Sequence, residues 1–259
     1  MSDARASAPW ETIRTGLQLL ATVWGVQIGF SVASRLLWTL IFSSLKSSSS
    51  GFDVTLELID VLSLFLEVVF TAIAVALAVA ASKLRRFPLV QREAPPGDPY
   101  RGARDAGPAR DPGLDGLATG VMVAFGATAG LGVVSYAYNT LFAHHSVADP
   151  SLGFRAALWG LSFASALVAG ALFTVWAWRA AREVARPLSP VLVIASSLGL
   201  AVCAAFQGWE VFSRVTGGQP PWAHWVGLVL DGLSTGALIL VALGVAEALR
   251  DPGTRNQQA

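Results

Sequence analysis

VTLELIDVLSLFLEVVFTAIAVALAVAAS, residues 54–82, decides the fold of this chain. It is a predominantly apolar run, longer than the roughly 20 residues that cross a bilayer at 1.5 Å per residue. Its few polar side chains are not scattered. Glu57, Asp60, Ser63, Glu67 and Thr71 follow one another at spacings of three or four, which places them on an arc of about 120° of one helix. A membrane helix with a single polar stripe packs that stripe against other helices or against water.

Five more stretches match it in length: Thr12–Ser43, Leu114–Phe142, Arg155–Trp178, Val191–Ser213 and Trp222–Leu249. The chain of 259 residues is 54% hydrophobic and only 14% charged, with a mean hydropathy of +0.56. A soluble domain is typically about a quarter charged. Little sequence is left over for a soluble domain, so the expected fold is all-α: one polytopic membrane domain, 1–259, built as a bundle of six transmembrane helices.

Charge predicts the threading. With the N-terminus inside, fourteen basic residues fall on the inner side: Arg5, Arg14, Lys83, Arg85, Arg86, Arg92, Arg101, Arg104, Arg110, Arg179, Arg182, Arg186, Arg250 and Arg255. Only Lys46, Arg155 and Arg214 fall outside, and Arg35 lies within the first span. Lys and Arg concentrate in cytoplasmic loops, so both termini are expected inside. The basic charge is thereby accounted for, and no nucleic-acid partner is expected. The first apolar segment far exceeds the 7–15 residues of a signal peptide's core, so it is expected to remain as a span. Sixteen Arg against two Lys, with much Ala and Gly, suggests a GC-rich bacterial source, hence the inner membrane. The single cysteine, Cys203, excludes a disulfide within the chain.

The long connection, 83–113, carries six prolines, seven basic and four acidic residues. Such a segment lacks the apolar surface to fold alone and reads as a flexible cytoplasmic linker; docking a cytoplasmic partner is its second reading. Each helix that runs from outside to inside ends alike, at 81–88, 181–187 and 246–252, which either a repeated hairpin or proline stops with inner basic residues would produce. Small residues recur every four positions at Gly25/Gly29, Gly116/Gly120, Gly126/Gly130, Ser162/Ala166/Gly170, Ser197/Ala201/Ala205 and Gly232/Gly236. In lipid such stripes let backbones approach, so tight packing is expected there, with self-association left open.

Polar groups at matching depth mark the candidate site. Gln27, Ser31, Ser34 and Arg35 share a face of the first helix, opposite Gly25 and Gly29. Cys203, Gln207, Glu210 and Arg214 fall within about 60° on the fifth helix, and His224, Gly227, Asp231, Ser234 and Thr235 cluster on the sixth. Thr128, Ser135 and Asn139 share a stripe on the third. Arg35, Asp60, Glu210 and Asp231 lie in the outer half of their spans, while the inner halves are almost free of titratable groups. An ionised acid at the bilayer centre costs at least about 2.5 kcal/mol, so Glu67 must be protonated, paired or wet.

Two arrangements fit. In one, Arg35 pairs with Asp60 or Glu57 and Glu210 with Arg214, and these pairs only fasten helices. In the other, Glu67, Asp60, Arg35, Glu210 and Asp231 line an outward-facing pocket for a small solute or ion, with Glu67 as its floor. His144, His145 and His224 gather at the outer surface, but adjacent histidines on a helix diverge by about 100°, a poor start for a metal site. The nine tryptophans read mainly as an interfacial belt, Trp10, Trp176 and Trp178 inside and Trp38, Trp159, Trp209, Trp222 and Trp225 outside. No phosphate loop, zinc helix or nucleophile elbow occurs. No cofactor is expected. The expected function is non-enzymatic: a transport or sensory component with an outward polar pocket. The alternative is a structural or regulatory subunit that binds a membrane-protein partner, or its own copies, through its charged faces.

Overall fold

The computed structural model describes residues 7–45, 52–86, 112–138, 140–141, 152–183, 190–216 and 222–249, and within them it is helical. The helices are α1 (Ser7–Leu45), α2 (Phe52–Ser82), α3 (Pro112–Tyr138), α4 (Leu152–Glu183), α5 (Pro190–Thr216) and α6 (Trp222–Ala248); one 3₁₀ turn, Lys83–Arg86, follows α2. Both α3 and α5 begin at proline, whose fixed φ suits the first helical position and whose missing N–H costs nothing there. Asp115 in the first turn of α3 faces the positive end of that helix.

Five helices are long and apolar enough to cross a membrane: α1, α2, α3, α4 and α6. In α5 the apolar portion among the described residues is the shorter Ile194–Phe206. Large apolar side chains are exposed along every helix, among them Val26, Val61, Phe65, Val123, Leu161, Leu198 and Leu233. A soluble protein rarely leaves so much contiguous apolar surface in water, whereas lipid accepts it at no cost.

Each helix packs on its neighbours in the chain, and α6 closes on α1. The closure is not an even hexagon. Helices α4 and α6 also touch each other, so α5 rests in the groove they form. The main core confirms this: α1, α2, α3, α4, α6 and the 3₁₀ turn all contribute to it, and α5 contributes only partly buried Leu192 and Leu200.

That core lies at one end of the bundle. It takes Ile13–Trp24 from the start of α1, Ile73–Leu84 from the end of α2 and its turn, and Leu114–Phe125 from the start of α3. It takes Ala169–Ala180 from the last part of α4 and Leu238–Leu249 from the end of α6. Arg14, Lys83, Arg85, Arg86, Arg179 and Arg182 belong to the same end, called the basic end below. Aromatic rings fill its centre. Trp24 of α1 stands edge-on to Phe173 of α4 with centroids 5.0 Å apart, and Trp24 also meets Phe125 of α3 at 6.3 Å. Trp176 stacks beside Phe173 at 6.1 Å.

Several expectations are revised at this level. Trp176 is not an interfacial marker: it is 0% exposed, because it shares the inward face of α4 with Phe173, Ala169, Ala177 and Ala180. Its neighbour Trp178 does face outward and carries the Arg182 guanidinium 3.4 Å above its ring. The segment 83–113 is ordered at its start, since Leu84 is fully buried in the core; residues 87–111 lie outside the described residues. Most of the glycine stripes do not mediate close packing. A Cβ at Gly25, Gly29, Gly116, Gly126, Gly130, Gly232 or Gly236 would meet nothing within 4 Å. The tight approaches are elsewhere, as at Gly16, where a Cβ would stand 2.9 Å from that of Lys83. Gly120 and Gly170 are the two stripe glycines that do press on neighbours, Leu172 and Leu200. A four-residue glycine spacing marks one helix face but not whether that face meets protein or lipid.

If the aromatic layer holds the bundle, Trp176→Ala should cost about 3–5 kcal/mol, as truncating a buried tryptophan does. Val191→Ala, on the exposed face of α5, should stay within about 0.5 kcal/mol. Thermal or denaturant unfolding of the detergent-solubilised protein measures both, and equal effects would contradict the assigned core.

Candidate functional site

Beyond the aromatic layer the character of the interior changes. The buried residues away from the basic end include Ser31 and Ser34 on α1, with Ser234 and Thr235 at the middle of α6. Half-buried Thr128 and Ser165 join α3 to α4, their oxygens 2.6 Å apart. Each also lies within bonding distance of a carbonyl of its own helix, Ala124 and Ser162. A hydroxyl has one proton, so one of the two gives up its backbone bond to donate across the seam. Polar contacts join helices here beside aromatic ones, whereas at the basic end the helices are tied by apolar packing.

The polar face proposed for α1 is oriented as its spacing requires. Ser31 and Ser34 are buried, Gln27 and Arg35 are half-buried, and Gly25 and Gly29 on the opposite side are exposed. The stripe on α2 turns inward with depth: Glu57 and Asp60 are exposed, while Ser63, Glu67 and Thr71 are half-buried. Phe30 of α1 contacts both Phe65 (6.1 Å) and Phe70 (5.7 Å) of α2, which sets the relative height of the two helices. Glu67 is therefore level with Phe30. Arg35 stands about 7 Å farther from the basic end, near the height of Asp60.

Glu67 lies in the seam between α2 and α3. The Ser135 hydroxyl donates to its Oε1 over 3.4 Å, a long bond for an O–H donor, and Oε2 is buried. One turn deeper, the Thr71 hydroxyl oxygen is also buried. It faces Gly132 of α3, where a Cβ would stand 2.5 Å from it. Gly132 is a residue that periodicity did not single out. The signal was present in its position three residues before Ser135, on the same face as a hydroxyl already assigned to a polar stripe.

Asp231 lies in a different seam. Its Oδ1 is 3.9 Å from the Cys203 sulfur of α5, within the weak range of a thiol donor, and Ser234 one turn on packs under Gly199 of α5. The described contacts thus bring Glu67 to α3 and Asp231 to α5, on two sides of the bundle. The side chains of Gln207, Glu210, Arg214 and His224, and residues 142–151 with His144 and His145, lie outside the described residues, as does Asn139. The proposed Glu210–Arg214 pair and the histidine cluster fall there. Among the described residues no group of three or more His, Cys, Asp or Glu could hold a metal ion.

The chain matches no known protein family, no curated protein and no solved structure. Fold and geometry define it as an all-helical protein with five helices of membrane-spanning length and composition.

The close fit of Thr71 on Gly132 can be tested by adding one carbon. Gly132→Ala should destabilise by about 1–3 kcal/mol, the usual cost of overpacking. Gly126→Ala, open on the same helix, should be neutral or stabilising by up to about 1 kcal/mol through helix propensity. Comparing the two unfolding midpoints checks the seam directly; a tolerated Gly132→Ala would mean that the helices are not in contact there.

Proposed function

We propose that the protein is a six-span integral membrane protein of the bacterial inner membrane, with both termini cytoplasmic. Its outward half would receive a small solute or ion, in a transport or sensory role without enzymatic chemistry. One observation carries this function: every residue of the main core lies at the basic end, and the opposite half brings hydroxyls and carboxylates into its helix seams beside a few aromatic contacts. A packed apolar plug excludes water and ions from that end. A half held by polar contacts can exchange them for contacts with a polar ligand or with water. The basic end is the cytoplasmic one by the concentration of Lys and Arg in cytoplasmic loops.

Within this half Glu67 is the assigned floor residue, since it is the deepest acid on the α2 stripe and stands next to the dry core. Asp60 and Arg35, higher up, would line the approach. Asp231, on the α5 seam, is the weaker member of the proposed site. Glu210 keeps its place from sequence spacing alone. A structural or regulatory subunit is the second reading, favoured by the open glycine faces of α1 and α6, where an added Cβ would meet nothing within 4 Å.

Cysteine accessibility separates the two. With Cys203 replaced by alanine, Ser135→Cys and Ser63→Cys should react with a small water-soluble thiol reagent added from outside intact cells. Ala124→Cys and Ala177→Cys, in the plug, should not react from either side. Uniform protection of the outer-half positions, together with a stoichiometric membrane partner in mild detergent, would replace the pocket with an assembly surface. Orientation has its own check: a carboxy-terminal phosphatase that works only in the periplasm should be inactive, and full activity would invert the topology.

A further inference from the structure

We infer that Trp178, Arg179 and Arg182, at the basic end of α4, hold the headgroup of an acidic phospholipid whose acyl chain lies along the outer face of the same helix. The site is at the opposite end from the proposed pocket. It needs only that α4 crosses a bilayer, and neither the pocket nor the direction of threading enters it.

The depth of the two arginines follows from the tryptophans. The part of α4 apolar enough to span is Ala156–Arg182. Trp159 and Trp178 both face outward near its ends, 41% and 36% exposed. They stand nineteen residues apart, which is about 28 Å along a helix and matches a hydrocarbon core of about 30 Å. Tryptophan settles where hydrocarbon meets headgroups, so Trp178 marks that boundary at the basic end. Arg182 is one turn farther out, about 6 Å, which puts it in a headgroup layer roughly 5–7 Å deep on each side.

The facing of these residues supplies a track for the chain. Leu161, Val168, Val175, Trp178, Arg179 and Arg182 fall within an arc of about 100° of α4, and all six are exposed. An apolar stripe that lipid covers thus leads straight to two cations. The Arg182 guanidinium lies 3.4 Å above the Trp178 ring. Stacking on a ring holds a guanidinium in one plane and keeps its edge N–H donors for another partner. A phosphate accepts two such donors side by side. Among the described residues neither arginine forms an ion pair. Like charges three positions apart on a helix repel, and one phosphodiester between them turns that repulsion into attraction. A zwitterionic headgroup would bring its own cation to the same place, so the site selects a lipid of net negative charge.

Native mass spectrometry of the full chain in a neutral detergent tests the site. Phosphatidylglycerol and phosphatidylcholine with identical chains are titrated and read as bound adducts on the folded protein. The first phosphatidylglycerol should bind at least about tenfold more tightly than phosphatidylcholine, from about fivefold for each arginine. Arg179→Gln and Arg182→Gln should each weaken phosphatidylglycerol about fivefold and leave phosphatidylcholine within about twofold. Arg85→Gln, which removes an exposed cation of the same end but of another element, should change either lipid by less than about twofold. Trp178→Leu keeps apolar bulk and should cost about two- to fivefold. It should cost nothing further in an Arg182→Gln background, because the ring acts through the guanidinium; additive losses would overturn that role of the ring. Equal binding of the two lipids, or a loss in Arg85→Gln as large as in Arg182→Gln, would replace the site with diffuse charge and overturn the inference. Glycerol 3-phosphate has the headgroup phosphate without the chains and should not displace the lipid at large molar excess. Displacement would make this a site for a soluble phosphate and overturn the lipid assignment.

Discussion

The edge-on contact between Trp24 and Phe173, 5.0 Å from centroid to centroid, joins α1 to α4 across the middle of the bundle. These helices are not neighbours around it, so the contact fixes the diameter of the basic end. Phe125 and Trp176 fill in beside it, and small residues such as Ala118, Ala169 and Ala177 let the surrounding helices close on the rings. No hydrophobic force drives helices together within lipid, so contact of this kind, summed over large side chains, has to hold them. With one end fixed by aromatic packing, the other half can be assembled from weaker and more specific polar contacts. The proposed site depends on that division of labour.

Much of this was legible in the sequence, and the reason is depth. Length and hydropathy gave five of the six expected spans, and the concentration of Lys and Arg gave a ruler along each of them. On that ruler Arg35, Asp60, Glu210 and Asp231 fell in the outer half with Glu67 near the centre, and the inner halves were left almost free of charge. The structure has its core in that uncharged half. Helical periodicity was dependable for the polar face of α1: Ser31 and Ser34 are buried, as their spacing requires.

What the sequence did not contain is azimuth between helices. Periodicity says that two groups share a face, but not which neighbour that face meets. Glu67 and Asp231 were both expected to line one pocket, yet one meets Ser135 of α3 and the other Cys203 of α5. The same lack explains the glycines. Gly126 and Gly130 have the expected spacing and open surroundings, while Gly132, outside any such pair, is the one pressed by Thr71. Trp176 and Trp178 are two residues apart on one helix and occupy opposite environments, and their inner-end position alone suggested an interface for both.

The seating of α5 in the groove between α4 and α6 has a consequence for biogenesis. A chain folds broadly from its N-terminal side as it is made. Helices α1 to α4 leave the ribosome first, and they form an open arc whose two ends, α1 and α4, are bridged by α6. Helix α5 emerges before that bridge exists, when the groove that will hold it has only one wall. It must stay beside α4 until α6 inserts past it, reaches α1 and supplies the second wall. The last helix made is therefore the keystone of the arc, and the one before it is a late lodger on the outside.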